Sequence, residues 1–318
     1  MKSWKHALLI ISLLLFSACG SGGGNTIQIG SARPSTNYYS IAEAIAGIGS
    51  KWKPDVTFKV AESSGSEENI RNVSSGKVQF GIAQADVLYD AVNAEGIFEG
   101  EPKMNHLRAV AGLYPESIQI VTRKDREMYT VSGLWGATIG VGDSHSGTEQ
   151  NAFFILRAGN LNETLVTTVN MSVKECCEAL KEGTIDAFFY TSAAPSALIE
   201  ELAQEVDISL IPIDGTLRDT LLAEHPYLEE YTIPAGTYAG QNEAIETISI
   251  ESVLITSEQQ EDAEIEQFTE QLFASRKQIE DSIKLKFTFD EPTAVTHIPV
   301  PFHNGAKAYY ESNGINAQ

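Results

Sequence analysis

Three strand–loop–helix units follow one another between Ile29 and Ala94, and nothing else in the chain restricts its fold so tightly. The first runs I-G-S-A-R-P-S-T-N-Y-Y-S-I-A-E-A-I-A from Ile29 to Ala46: an apolar strand end, a hydroxyl-rich turn and a helix with its apolar positions on one face. In the second, Thr57 to Ala61 alternates as a strand does, and Glu62 to Asn69 leads into a helix from Ile70. In the third, Val78 to Ala83 reads as a strand and Val87 to Ala94 as a helix, with Gln84, Ala85 and Asp86 between them. Units repeated within about 65 residues leave room only for parallel strands joined by helical crossovers, hence an α/β sheet. Ligands of such sheets bind outside the carboxyl ends of the strands, where these three loops converge.

What converges there suits an anion. A helix start leaves its first backbone N–H groups unpaired and carries partial positive charge, so it offers a carboxylate or phosphate both donors and field. Ser31, Thr36, Asn37, Ser66 and Gln84 add neutral hydrogen-bonding side chains, while Tyr38 and Tyr39 add apolar faces with polar tips. A later region echoes this device. After two strands, Leu107 to Leu113 and Ser117 to Thr122, joined by Tyr114-Pro115-Glu116, a strand from Thr138 to Val141 enters the loop G-D-S-H-S-G-T-E-Q at 142 to 150. That loop delivers Ser144, Ser146, Gly147 and Thr148 onto a helix from Asn151 to Ala158, and Tyr190 ends another strand from Ile185, with Pro195 just inside the next helix. Thr247 to Thr256 then carries the chain back, followed by one acidic amphipathic helix from Glu258 to about Lys284 and a last helix from Ala306 to Ser312. The expected division is 26–117 with 252–318 as one lobe and 118–251 as the other, with a loop from each closing on a ligand. These residues include no evident nucleophile–base pair, so recognition is expected rather than chemistry.

The amino terminus points to export. Lys2 and Lys5 precede an apolar run from Ala7 to Ala18 that is too short to cross a bilayer comfortably and fits a signal peptide. Leu15-Phe16-Ser17-Ala18-Cys19 resembles the lipobox of bacterial lipoproteins, which implies cleavage after residue 18 and acylation of the Cys19 thiol; a plain secretory signal is the alternative. Residues 19–25 then form a lipidated cysteine with a flexible glycine-rich tether. The formal charge of −21 becomes −23 once Lys2 and Lys5 leave, which argues against nucleic acid as a partner. A small anion stays compatible, because screening over roughly 8 Å lets a local helix start outweigh a distant negative surface.

Five segments, in order, carry a resemblance that spans nearly all of the mature chain. They are I-G-S-A-R-P-S-T-N-Y-Y at 29 to 39, Gly65-Ser66-Glu67-Glu68-Asn69-Ile70, Gln84-Ala85-Asp86, Val141-Gly142-Asp143-Ser144-His145-Ser146-Gly147-Thr148, and Pro301-Phe302-His303-Asn304-Gly305-Ala306 ahead of Tyr309-Tyr310. Together they resemble the TAXI solute receptors of tripartite ATP-independent periplasmic (TRAP) transporters. The resemblance implies a two-lobed periplasmic-binding-protein fold of type II, each lobe a mainly parallel sheet flanked by helices, with the ligand in the cleft. It also implies capture of a small organic anion, such as a dicarboxylate, an amino acid like glutamate, or 2-oxoglutarate, and its delivery to a TRAP membrane permease without any cofactor. The chain departs from the family pattern where Arg33, Ser35 and Thr36 replace small residues and glycines. Arg33 either pairs a ligand carboxylate in bidentate fashion or points to solvent and shapes the turn.

Competing readings are weaker on the same residues. The G-x-S-x-G elbow of hydrolases requires glycine where Ser146 stands, and His145 next in sequence is no triad partner by itself. The histidines show no ligand spacing, and adjacent Cys176 and Cys177, on a helix from Val173 to Lys181, are expected to include at least one buried apolar side chain rather than a metal or redox pair. Trp52 and Trp135 are the remaining tryptophans for a sugar to stack on. Asp86, Glu149 or Glu68 could hold an ammonium group or merely serve their helix starts. A binding protein that senses ligand for a membrane signalling partner, or serves another transporter class, is the main functional alternative.

Overall fold

The computed structural model describes residues 26–162, 164–285 and 287–317, so the signal segment, Cys19 and the glycine tether lie outside the described residues. Ten strands form one continuous sheet. In chain order the strands are β1 (Thr26–Gly30), β2 (Thr57–Ala61), β3 (Phe80–Gln84), β4 (Leu107–Arg123), β5 (Thr138–Gly140), β6 (Thr167–Val169), β7 (Ala187–Ser192), β8 (Ile208–Ile211), β9 (Leu228–Ile233) and β10 (Ile245–Ser257). The helices are α1 (Asn37–Trp52), α2 (Ser66–Ser74), α3 (Ala85–Asn93), α4 (Gly147–Ala158), α5 (Val173–Glu182), α6 (Ala197–Glu205), α7 (Gly215–Glu224), α8 (Asp262–Ala274), α9 (Arg276–Glu280) and α10 (Asn304–Ser312).

β1 lies parallel to both β2 and β3, and β5 parallel to both β6 and β7, as βαβ connections require. Two long antiparallel strands join these groups. From Leu107 to Tyr114, β4 runs beside the Ser252–Ser257 half of β10, whose other edge meets β3; from Ser117 onward it runs beside β7. The same two strands therefore serve both parallel groups, and the sheet changes company at Tyr114 to Ser117. Sequence patterning put a turn at Pro115. The structure instead keeps β4 unbroken, with Pro115 opposite Glu251 and a register shift between Ser252 and Val253 absorbing the irregularity. A proline lacks the ladder N–H, and a bulge is where a sheet tolerates that loss.

Apolar periodicity holds the helices to the sheet. On α1, Tyr38, Ile41, Ala42, Ile45, Ala46, Ile48 and Gly49 are buried, the spacing of one helical face. A fully buried isoleucine of this kind contributes roughly 1.5–3 kcal/mol. Further corrections to the expected elements have local causes. The acidic helix is broken at Ser275, which caps α8 and lets α9 turn Ile279 into the core. Pro195 precedes α6 by two residues and follows Ala194 through a cis bond. β9 was not legible, because only Leu228 and Ile233, at the two ends of L-E-E-Y-T-I, are buried and the adjacent acids Glu229 and Glu230 break the alternation.

The last of the five motif segments is structural. His303 is fully buried at the start of α10, where Nδ1 accepts from the Gly305 N–H (3.1 Å) and Nε2 donates to the Gln260 carbonyl (3.2 Å). These two partners define a neutral ring, and burial lowers its pKa. Gly305 permits the close crossing with α8, since a Cβ there would stand 2.1 Å from the Asp262 carbonyl oxygen.

Candidate functional site

The loops after β1, β2 and β3 meet the loops after β5 and β7 around one cavity of about 70 Å³. By the measure in which a water needs roughly 10–15 Å³, that is space for a ligand of a few heavy atoms to about the size of a small organic acid. Three helix starts converge on it. Thr36 caps α1, its Oγ1 accepting from the Tyr39 N–H (3.4 Å); Ser146 caps α4, its Oγ accepting from the Glu149 N–H (3.1 Å). α2 begins at Gly65, whose φ of 125° is a conformation natural to glycine, and no side chain caps it. The remaining first-turn N–H groups of all three helices are left to whatever occupies the space.

Thr36, Asn37, Tyr38, Ser66 and Gln84 line the cavity from one side, and Ser146, Gly147, Thr148 and Tyr190 from the other. Tyr38 and Thr148, from the two separate regions, thus face one shared cavity. The two sides also touch directly: Asn37 Nδ2 donates to Ser192 Oγ (3.0 Å), Asn151 Nδ2 donates to Asp86 Oδ2, and His145 Nδ1 meets Glu67 Oε2 at 2.9 Å. Gly147 sits so close to the Gln84 amide that a Cβ would fall 1.8 Å from Oε1. The structure is therefore of a closed cleft.

Arg33 lines the mouth but is already paired. Its Nε reaches both Asp143 oxygens at 2.9 Å and its Nη2 reaches Oδ1 at 2.6 Å, so the bidentate partner is a carboxylate of the protein itself, across the cleft. Four expected site residues do not line the cavity. Ser31 is fully buried, its Oγ donating to the Ala61 carbonyl (3.0 Å) and its carbonyl accepting from Asn69 (2.5 Å), so it braces the loop from behind. Tyr39 follows Tyr38 by about 100° around the helix and cannot share its aspect. Asp86 is engaged with Asn151, and Ser144 opens onto a neighbouring cavity beside His145. The other acids considered for an ammonium serve their helix starts: Glu68 accepts from the Ser64 N–H (2.9 Å) and Glu149 from the His145 N–H (2.8 Å).

Sequence reasoning missed the wall at the sheet crossover. Glu116 lines the cavity with both oxygens engaged, accepting from Tyr38 Oη (2.8 Å) and Tyr114 Oη (2.9 Å). Burial without a cation pushes its carboxyl up to about 8, against the pull of these hydrogen bonds. The overlooked signal was a lone acid between two apolar runs, read as part of a turn. Thr191 and Ser192, which carry β7 two residues past Tyr190, also line the space.

Cys176 and Cys177 are both buried and free, and desolvation raises both thiols, Cys177 to about 12, so neither is reactive near neutral pH. Among the described residues no cluster of three His, Cys, Asp or Glu could hold a metal ion, and no helix is long and apolar enough to cross a membrane. Trp52 packs on Phe268 and Trp135 is exposed, both away from the cavity.

The model of the NMT1-like family matches residues 29–314. Among solved structures, the chain is similar to PhnD1 from Prochlorococcus marinus (MIT 9301) in complex with methylphosphonate, with 12% identity, 83% of this chain and 92% of that chain covered, and a TM-score of 0.55. A Bordetella bronchiseptica RB50 protein gives 17% identity, 81% and 75% coverage and a TM-score of 0.52. The periplasmic aliphatic sulphonate binding protein SsuA from Escherichia coli gives 13%, 83% and 80%, and 0.47. The shared fold is the two-lobed α/β architecture of periplasmic binding proteins, as the sequence led one to expect.

Proposed function

The chain belongs to the NMT1-like family, and from that premise we propose that it is an exported solute-binding protein that captures a small organic anion and hands it to a membrane transporter. The observation that carries this reading is the convergence of three helix starts, from both sides of one cleft, on a single small cavity lined by hydroxyls and amides. Such a site gives an anion backbone donors and field while leaving the protein's own charges few. The structural likeness to PhnD1, which was seen with methylphosphonate, agrees with an anionic client. The five motif segments favour the TAXI type, a TRAP permease as the partner, and a dicarboxylate, an amino acid such as glutamate, or 2-oxoglutarate as the ligand. Binding rather than catalysis is supported by the engagement of the polar groups: Ser146 caps a helix, and His145 faces Glu67.

In this reading the lobes are 26–117 with 252–318 and 118–251, hinged on β4 and β10. Cys19 carries the lipid that keeps receptor and permease at one membrane surface. Thr36, Asn37, Tyr38, Ser66, Gln84, Ser146, Gly147, Thr148 and Tyr190 contact the ligand, and Arg33 closes the mouth. A thermal-shift and calorimetric screen with glutamate, glutamine, aspartate, 2-oxoglutarate, succinate, alkylphosphonates and alkylsulphonates tests it. A ligand at a hundred times its Kd should stabilise the protein by about 2.7 kcal/mol. Absence of binding by every acid in the panel would overturn the proposal.

A further inference from the structure

Helix starts make part of the cavity wall electropositive, yet the wall at the sheet crossover is made of acceptors. Glu116, 3% exposed, stands there with no cation against it; Arg33, the arginine that lines the space, is occupied by Asp143. Gln84 on the nearby β3, also 3% exposed, lines the same cavity, and its Oε1 is sealed from solvent with no hydrogen-bond partner. On β10, which runs between those two strands, the hydroxyl of the fully buried Ser252 is likewise without a partner. Buried acceptors left in this state are costly, and a protein keeps them where a ligand supplies the donor. A second carboxylate or a keto oxygen placed here would bring only acceptors against Gln84 Oε1 and leave it unsatisfied, whereas an ammonium would donate to both Gln84 and Glu116.

Resting on the solute-receptor reading above, we infer that the cleft grips its ligand by two unlike ends, an acidic group on the helix starts and a protonated amine on Glu116 and Gln84. Among small acids it therefore takes α-amino acids and rejects the 2-oxo acids and dicarboxylates of the same length. Glu116 is the specificity-determining residue, positioned by Tyr38 and Tyr114. Burial holds its carboxyl up to about 8, with Asp86 adding to that effect and the hydrogen-bonding neighbours Tyr38, Tyr114 and Gln84 opposing it. Tyr190 and Glu251 are the further titratable groups that sense it. An arriving ammonium favours the ionised form, so near pH 7 an amino acid displaces a proton on binding, while an anion lodged beside a neutral Glu116 holds that proton in place.

Isothermal titration calorimetry of the purified full chain, in buffers of differing ionisation enthalpy, tests this with the twenty amino acids, 2-oxoglutarate and succinate. The expected result is an amino acid bound at least tenfold more tightly than its oxo or desamino counterpart, with net proton release at pH 7. In Glu116→Gln the preference should shrink to about threefold or less and the proton release should vanish. A 2-oxo acid or dicarboxylate bound as tightly as its amino counterpart, or an unchanged preference in Glu116→Gln, overturns the inference and leaves the receptor reading standing. No binding by any member overturns both. Should Glu116→Gln fail to fold, the wild-type preference and proton count decide the matter alone.

Discussion

Glu116 and Asp86 tie the stability of the closed molecule to pH. Burial lifts Glu116 from its ordinary 4.5 to about 8 and Asp86 from 3.8 to about 7. Each therefore binds a proton in the folded protein over a range where the unfolded chain has released it. Their contribution is complete below pH 4 and is lost as pH rises through 7 and 8. The ligand-free melting temperature should fall from pH 5.5 to pH 8.5, and Glu116→Gln should flatten the upper part of that fall and melt above wild type at pH 8.5. A wild-type curve that rises across this window would contradict the burial of both acids. His303 acts in the opposite sense on the acid side, since its lowered pKa removes stability as pH falls below 6.5. Arg33 makes a milder prediction. Its side chain is 57% exposed, and a pair of this kind is worth at most about 1 kcal/mol. Arg33→Ala should weaken ligand affinity no more than about fivefold, mainly through faster release; a hundredfold loss would show that the guanidinium holds the ligand itself.

At the scale of elements, the motif segments divide by task. Those at 29–39, 65–70 and 141–148 each open a helix at the cavity, whereas the segment at 301–310 locks α10 onto α8 and β4. Tyr310 Oη donates to the Val110 carbonyl at 3.0 Å, and Phe273 stacks on Tyr309 at a centroid separation of 5.6 Å. Because the Gly305 Cα lies against the Asp262 backbone, Gly305→Ala must push two helices apart. Forcing an extra methyl into packing of this density costs about 1–3 kcal/mol. Denaturant unfolding should register that loss with an unchanged ligand Kd, the signature of a structural rather than a recognition motif. An equal loss of affinity would place this segment in the site after all.

On the receptor reading the molecule works by closing, and Gly147 is where closure can be blocked by a single methyl group. Alanine suits a first helical turn, so α4 keeps its start, but the added Cβ would strike the Gln84 amide across the cleft. Small-angle scattering of wild type should show compaction when ligand is added. Gly147→Ala should melt within a few degrees of wild type yet show no compaction and at least a tenfold weaker Kd. Compaction equal to wild type in the variant would mean that the two sides do not meet at this point in solution.

Local order was legible in the chain because it has local causes. Alternating and helical apolar periods, capping hydroxyls and the glycine at 65 fixed the βαβ units around Ile29, Thr57, Phe80 and Thr138, and with them the helix starts that face the cavity. What each polar side chain does there was decided across the sheet. Arg33 found Asp143, Asp86 found Asn151, and Glu116 became a buried wall because β4 runs through Pro115 without turning. Those outcomes depend on which strands pair and how far the cleft closes, contacts between residues 65 to 110 positions apart that no local window contains. Sequence alone determined that this chain builds helix starts on the carboxyl ends of parallel strands; tertiary structure alone decided which charges are left unpaired inside, because desolvation acts only on groups that the fold has brought together.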